Sequence, residues 1–254
     1  MKRNPFSWFI VSAFALGLTG CGATLVNLGS KNEPLVDGLK DPASLRAKVV
    51  VPPEQRVVSN FDDGTTNVNP KLINASGGSW NAFSYGGNTV NSPIVVDGGA
   101  NATPKAIHIF GTLTTLADNS YPAFMLVLKP TASGFFDASA FTGISFYYKC
   151  PSSDRTLFRS LTIPIAATVP SSGGGTCQDG CYDHYKSDLT TTGDWTLTKK
   201  AFNTFKRSGW GAPVNPPEFV EHLGEIVDIE WSNSSGNTAG SYGVDFWVDE
   251  VEFY

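Results

Sequence analysis

Apolar and polar residues alternate with a period of two through most of the chain beyond residue 56. The pattern predicts strands over 57–61, 106–113, 123–128, 144–148, 157–165, 195–199, 226–231 and 244–254. In one of them Ile144, Phe146 and Tyr148 share a face while Ser145 and Lys149 point away. In another, Val227, Ile229 and Trp231 oppose Asp228 and Glu230. Each such strand has one face to bury. Loop-forming clusters separate them: Asp63-Gly64, Gly77-Gly78, Gly86-Gly87, Asp97-Gly98-Gly99, the run 171–175 and the run 232–240. Only 201–207 and 216–223 suit a helical turn or two. Many short strands without intervening helices predict an all-β fold, a sandwich of two packed antiparallel sheets.

The first residues follow a different pattern. Met1-Lys2-Arg3 is positive, and 6–18 is a mostly apolar run too short to span a bilayer, which together read as a signal peptide. The run ends in Leu18-Thr19-Gly20-Cys21, a branched residue, two small ones and a cysteine. This resembles the lipobox of bacterial lipoproteins. The resemblance implies cleavage before Cys21 and a lipid on its thiol. Gly22, where inner-membrane retention calls for Asp, implies the outer membrane. No later stretch is apolar for long enough to span, so lipid is the expected anchor to the cell envelope. Residues 22–55 carry Gly29-Ser30-Lys31-Asn32, Pro42 and Pro52-Pro53 with little periodicity. The expected division is therefore a signal peptide over 1–20, the lipidated cysteine and a flexible tether over 21–55, and one folded domain over 56–254.

Charge narrows the choice of partner. The chain has 18 Lys and Arg against 23 Asp and Glu, a net charge of −5, and it becomes more negative once Lys2 and Arg3 leave with the signal. Binding to nucleic acid is not expected. Only 16% of residues are charged and 26 are Gly, as suits a turn-rich exported β-domain.

Short motifs in a fixed order add a second resemblance. They are Phe61-Asp62-Asp63-Gly64, the tryptophan loop Gly77-Gly78-Ser79-Trp80, Gly143-Ile144-Ser145-Phe146-Tyr147-Tyr148-Lys149, and Asp194-Trp195-Thr196-Leu197 with Phe202-Asn203-Thr204-Phe205. The series closes on Val244-Asp245-Phe246-Trp247-Val248-Asp249-Glu250-Val251-Glu252-Phe253. The order resembles the family-eleven carbohydrate-binding modules, jelly rolls of the galactose-binding-like superfamily, and covers nearly all of 56–254. It also resembles bacterial lipoproteins with the same 177–185 and Gly209-Trp210-Gly211 signatures.

The family resemblance implies two sites. One is a structural calcium between an acidic residue of the first strand and one of the last, positions matched by Asp62 and Asp249. Calcium needs several hard oxygens, and adjacent terminal strands bring distant carboxylates together. The other is a sugar site on the concave sheet, where aromatic rings stack on pyranose faces. Tyr121, His184, Arg207 and Trp210 fall near positions that contact glucan chains, and Tyr182 alternates with His184. Trp80, Trp195, Trp231 and Trp247 lie in apolar strand patterns and are expected in the core. Trp210, between two glycines after Lys206-Arg207, is expected on a loop, where binding explains an exposed ring better than packing does.

Cys177-Gln178-Asp179-Gly180-Cys181 permits a small disulfide loop in an oxidising compartment. Zinc on both thiolates and His184 is the rival reading, and Cys150 could replace either partner. Glu225-Ile226-Val227-Asp228-Ile229-Glu230 looks at first like the catalytic strand of retaining β-glucanases. Alternation, however, sends Glu225 to the face opposite Asp228 and Glu230 unless a bulge intervenes. His108 reads as a polar-face strand residue. The expectation is a non-catalytic, monomeric, lipid-anchored module that captures a glucan-type polymer and requires no cofactor beyond that calcium. A structural envelope domain making protein contacts and a β-glucanase-like hydrolase are the alternatives.

Overall fold

The computed structural model describes residues 50–84, 89–115, 124–151, 160–190, 192–211, 218–232 and 240–254. These belong to one compact unit, Ala47–Tyr254. Cys21, the signal and tether readings up to residue 49, and Tyr121 lie outside the described residues. Val51 is already buried and its carbonyl accepts the Arg56 Nε–H at 2.7 Å, so the packed unit reaches back before residue 56.

The strands are β1 (Val57–Ser59), β2 (Gly77–Ser84), β3 (Thr89–Val90), β4 (Ile94–Asp97), β5 (Lys105–Thr115), β6 (Phe124–Thr131), β7 (Gly143–Lys149), β8 (Ser160–Ile163), β9 (Tyr185–Asp188), β10 (Thr196–Ala201), β11 (Ile229–Ser232) and β12 (Gly240–Phe253). They form two antiparallel sheets, as the alternation predicts. The first runs β10-β7-β12-β5-β3, with β1 on β12 and β4 on β5; the second runs β2-β6-β11-β8-β9. Helical backbone among the described residues occurs only as three-residue 3-10 turns, two of which, Phe202–Thr204 and Phe219–Glu221, fall where helical turns are expected.

The core lies between the sheets. Ile144, Phe146 and Tyr148 of β7 face Ile229 and Trp231 of β11, with Trp80 of β2 packed at a tilt against Trp231 at 5.2 Å. Burying each such side chain stabilises the fold by about 1.5–3 kcal/mol. Trp80 also satisfies its indole N–H, donating to Ser59 Oγ at 2.9 Å.

Four strands, β2, β3, β4 and β9, lie outside the expected set, and for β2 and β9 the reason is local. β2 begins at Gly77-Gly78, which reads as a loop, yet a Cβ on Gly78 would stand 2.2 Å from the Lys129 carbonyl. Glycine is there for close strand approach. β9 reads Tyr185-Lys186-Ser187-Asp188, an edge strand with a single core residue and thus no repeating signal.

The last strand carries a bulge that decides which residues it buries. Val244, Phe246 and Val248 point inward, and unbroken alternation would put Glu250 inward next. Between Asp249 and Glu252 the register against β7 shifts, with Glu250 at φ +45°. The extra residue turns Val251 and Phe253 to the core and leaves Glu252 outside, where its carboxylate accepts the Ser145 hydroxyl at 3.1 Å.

Candidate functional site

The sequence-derived sugar residues other than Tyr121 converge on two loops beside β9, at the edge of the second sheet. Cys177 and Cys181 form a disulfide, so the zinc alternative falls away and Cys150 remains a buried thiol. Directly after the bridge, Tyr182 takes φ +77° and donates its main-chain N–H to the Thr168 carbonyl at 2.8 Å. Its ring is 58% exposed. On the second loop Trp210 is 64% exposed, as a tryptophan between two glycines predicts.

Their neighbours play other parts. His184 packs edge-on to Tyr182 at 6.0 Å and shares a 2.8 Å hydrogen bond between Nδ1 and the Thr168 hydroxyl. Burial, only partly offset by the Asp183 charge and assisted by Arg207, pulls its pKa down to about 4. The ring is therefore neutral near pH 7 and offers hydrogen bonding without charge. The Arg207 side chain is only 2% exposed, and its Nε donates to the Asp183 carbonyl at 2.7 Å. Arg207 thus supports the loops from beneath and is not placed to meet a ligand directly. Asp183, part of the Tyr182-Asp183-His184-Tyr185 run but assigned no role from sequence, is equally buried at 2%. Nothing in the local pattern marks an acidic residue between two aromatics as an inward one.

A second aromatic group sits on the outer face of the first sheet, where the core expectation for Trp195 and Trp247 does not hold. Cross-strand register places Trp247 between His108 of β5 and Lys149 of β7. His108 stacks on Trp247 at 4.0 Å and 20°, and the Lys149 ammonium lies 4.3 Å from the Trp247 centroid and 4.5 Å from that of Trp195. Asp245 Oδ1 accepts the Trp247 indole N–H and pairs with His108 Nε2, each at 2.8 Å. Both faces of Trp247 are covered from within, so the ring has none left for a pyranose. This group braces the sheet.

The carboxylates of the hydrolase alternative are also placed. Glu225 ends the turn Leu223–Glu225 and lies 3.5 Å from His222, apart from the strand. Asp228, just before β11, and Glu230 on it lie on the same side of the strand, close enough to affect each other's protonation. A retaining glycosidase keeps its carboxyl groups about 5–5.5 Å apart, with the scissile bond between them. With Glu225 in a turn off the strand, the carboxylates of this run do not form that arrangement. Burial raises the pKa of both groups, that of Asp228 to about 7, and Asp228 Oδ1 has no hydrogen-bond partner among the described residues.

Asp249 is fully buried at the bulge of β12. Its Oδ2 accepts the Ala100 N–H at 2.8 Å and lies 2.6 Å from the Thr103 hydroxyl, and Oδ1 accepts the Glu250 N–H at 2.7 Å. Asp62 lies in the turn closed by the Gly64 N–H on the Phe61 carbonyl and accepts the Asn60 amide at 3.1 Å. Its charge is close enough to help raise the pKa of Asp249, after the larger effect of burial. Among the described residues no group of three or more His, Cys, Asp or Glu side chains is arranged for a metal. A calcium at Asp62 and Asp249 would need main-chain carbonyls for its remaining oxygens.

No protein-family model and no curated protein sequence matches the chain. Among solved structures it is similar to a family 11 carbohydrate-binding module from Clostridium thermocellum in complex with a β-1,3-1,4-mixed-linked tetrasaccharide. That alignment has 18% identity, 78% of this chain, 94% of the other and a TM-score of 0.49. It is likewise similar to the family 11 module of the cellulosomal cellulase Lic26A-Cel5E of the same organism, at 19% identity over 68% of this chain and 86% of the other, TM-score 0.46. A third similar structure is the CBM22-1 xylan-binding domain of Paenibacillus barcinonensis Xyn10C, at 14% identity over 78% and 94%, TM-score 0.37.

Proposed function

We propose that this domain binds a neutral carbohydrate polymer, without cleaving it, through Tyr182 and Trp210 with His184 beside them. The observation that carries the reading is the exposure of two large aromatic rings on loops that are otherwise tied down by a disulfide and buried hydrogen bonds. A ring held rigidly in water costs hydrophobic free energy unless something covers it, and the apolar face of a pyranose fits a fixed aromatic ring. A neutral histidine beside the rings suits sugar hydroxyls. The glucan class, the lipid on Cys21 and the outer-membrane location belong to the same proposal and rest on the sequence motifs. So does a structural calcium at Asp62 and Asp249, favoured by the mutual repulsion of these acidic groups, which a cation would relieve.

A glycan array probed with the soluble fragment from residue 22 tests the binding. Trp210→Ala and Tyr182→Ala should each weaken retention of the captured glycan about tenfold, as expected for loss of one stacked ring. Glycan binding indifferent to both changes would move the site elsewhere, and no binding to any glycan would favour protein contacts in the envelope. Separately, Cys21→Ser should transfer the full chain from the membrane to the soluble fraction of a fractionated bacterium. Retention in the membrane would overturn the anchor.

A further inference from the structure

We infer that Asp183 is the positioning residue of the candidate sugar site: its buried carboxylate fills a nest of main-chain N–H groups and ties the loops of Tyr182 and Trp210 into one rigid unit. What the unit holds rests on the carbohydrate reading; how it is held does not.

The nest is made by the loop that presents Trp210. Asp183 Oδ1 accepts the Ser208 N–H at 2.9 Å, and Oδ2 accepts the Gly209 N–H at 2.8 Å and the Gly211 N–H at 3.1 Å. The donors thus flank the tryptophan on both sides. Arg207 adds its charge 3.5 Å from Oδ2 and binds the main chain of the same aspartate. Successive N–H groups pointing into one concavity form an anion site. Here an acidic side chain of this chain occupies it.

Backbone conformation shows that the loop is shaped for this contact. Gly209 has φ +89°, a region that favours glycine. A Cβ on Gly211 would stand 2.5 Å from Asp183 Cβ and 2.6 Å from the Gly180 carbonyl, so the loop lies directly against the disulfide-closed turn. Trp210 itself, largely exposed, contributes little burial to hold its own loop in place. Its position depends on the hydrogen bonds beneath it.

The chemistry selects aspartate. Two carboxylate oxygens accept three N–H groups and balance a guanidinium, whereas an asparagine would turn an NH2 toward one of those donors. A glutamate would need room for a further methylene where Gly211 already touches the Asp183 Cβ.

The test is Asp183→Asn in protein labelled with 5-fluorotryptophan, read by 19F NMR and by titration with cellohexaose and with β-1,3-1,4-glucan. The Trp210 resonance should shift and broaden while those of the core residues Trp80 and Trp231 stay in place, and affinity should fall at least tenfold. Should Asp183→Asn fail to fold, Gly211→Ala strains the same contact with the carboxylate intact and should move the same resonance. An unchanged Trp210 resonance in the folded variant would overturn the inference, and so would affinity within twofold of wild type. If the parent protein binds no glycan, the carbohydrate reading fails and the resonance alone decides the positioning role.

Discussion

Asp228→Asn should stabilise the domain progressively as pH rises from about 4 to about 7, and change its stability little below pH 4. The cause is the carboxyl pair at β11: burial raises Asp228 from 3.8 to about 7, and burial together with the neighbouring Asp228 raises Glu230 well above its usual range. Lys129 opposes the shift without reversing it. The unfolded chain releases the Asp228 proton near pH 4 and the folded protein holds it to about 7. In that window the native state binds more protons, so stability falls as pH rises. The loss is on the order of 3 kcal/mol, or about 6–12 °C in Tm for a domain of this size.

The amide keeps the neutral shape and removes the titration. His184 works in the opposite sense: its pKa is lowered from 6.5 to about 4, so its contribution is lost as pH falls below 6.5. The wild-type profile is therefore flatter than either group alone would make it, and the informative quantity is the difference between variant and wild type. Thermal melts at pH 4, 5.5 and 7 measure it. Equal Tm differences at all three would show that the pair does not hold its proton in the folded protein.

Asp249→Ala should cost about 3 kcal/mol, because it strands two main-chain donors in the core. The Ala100 and Glu250 N–H groups both end on this carboxylate, at 2.8 and 2.7 Å, and Thr103 turns its hydroxyl to the same place. A buried donor left without a partner costs about 1–3 kcal/mol. Urea denaturation should show a lower midpoint with an unchanged slope. A loss below about 1 kcal/mol would mean that water or a relaxed bulge replaces the side chain. Calcium separates the two roles of this residue: an ion held with Asp62 raises the wild-type Tm when calcium is added and does nothing for Asp249→Ala. A wild-type protein indifferent to calcium would remove the ion from the proposal and leave the hydrogen-bond loss unchanged.

The same bulge shows why part of the fold was legible and part was not. In β7, Ile144, Phe146 and Tyr148 alternate with outward neighbours, and their burial follows from the pattern alone. In β12 the alternation breaks at Asp249, and no local signal states that Val251 rather than Glu250 enters the core. The tryptophans divide in the same way. Trp231 and Trp247 sit in similar apolar and acidic surroundings along the chain, yet one is buried at the centre and the other lies outside under Lys149. Which face of a strand is inner depends on where the opposite sheet packs. That is a property of partners distant in sequence.

The candidate site follows this division. Tyr182, His184 and Trp210 were recognisable as a group, and the exposure of Trp210 followed from its glycines. Arg207 and Asp183 were not recognisable as a buried pair, because they lie in separate loops and only the folded chain brings the Ser208, Gly209 and Gly211 N–H groups around one carboxylate. By itself the sequence determined the all-β class, most of the strands and the aromatic residues on display, since these depend on periodicity and on turn-forming residues that act locally. The tertiary structure decided the bulge, which of the strand tryptophans face inward, the raised pKa of the buried carboxyl pair and the nest under Trp210. Each of those is a balance of burial and hydrogen bonding between segments that meet only when the two sheets close.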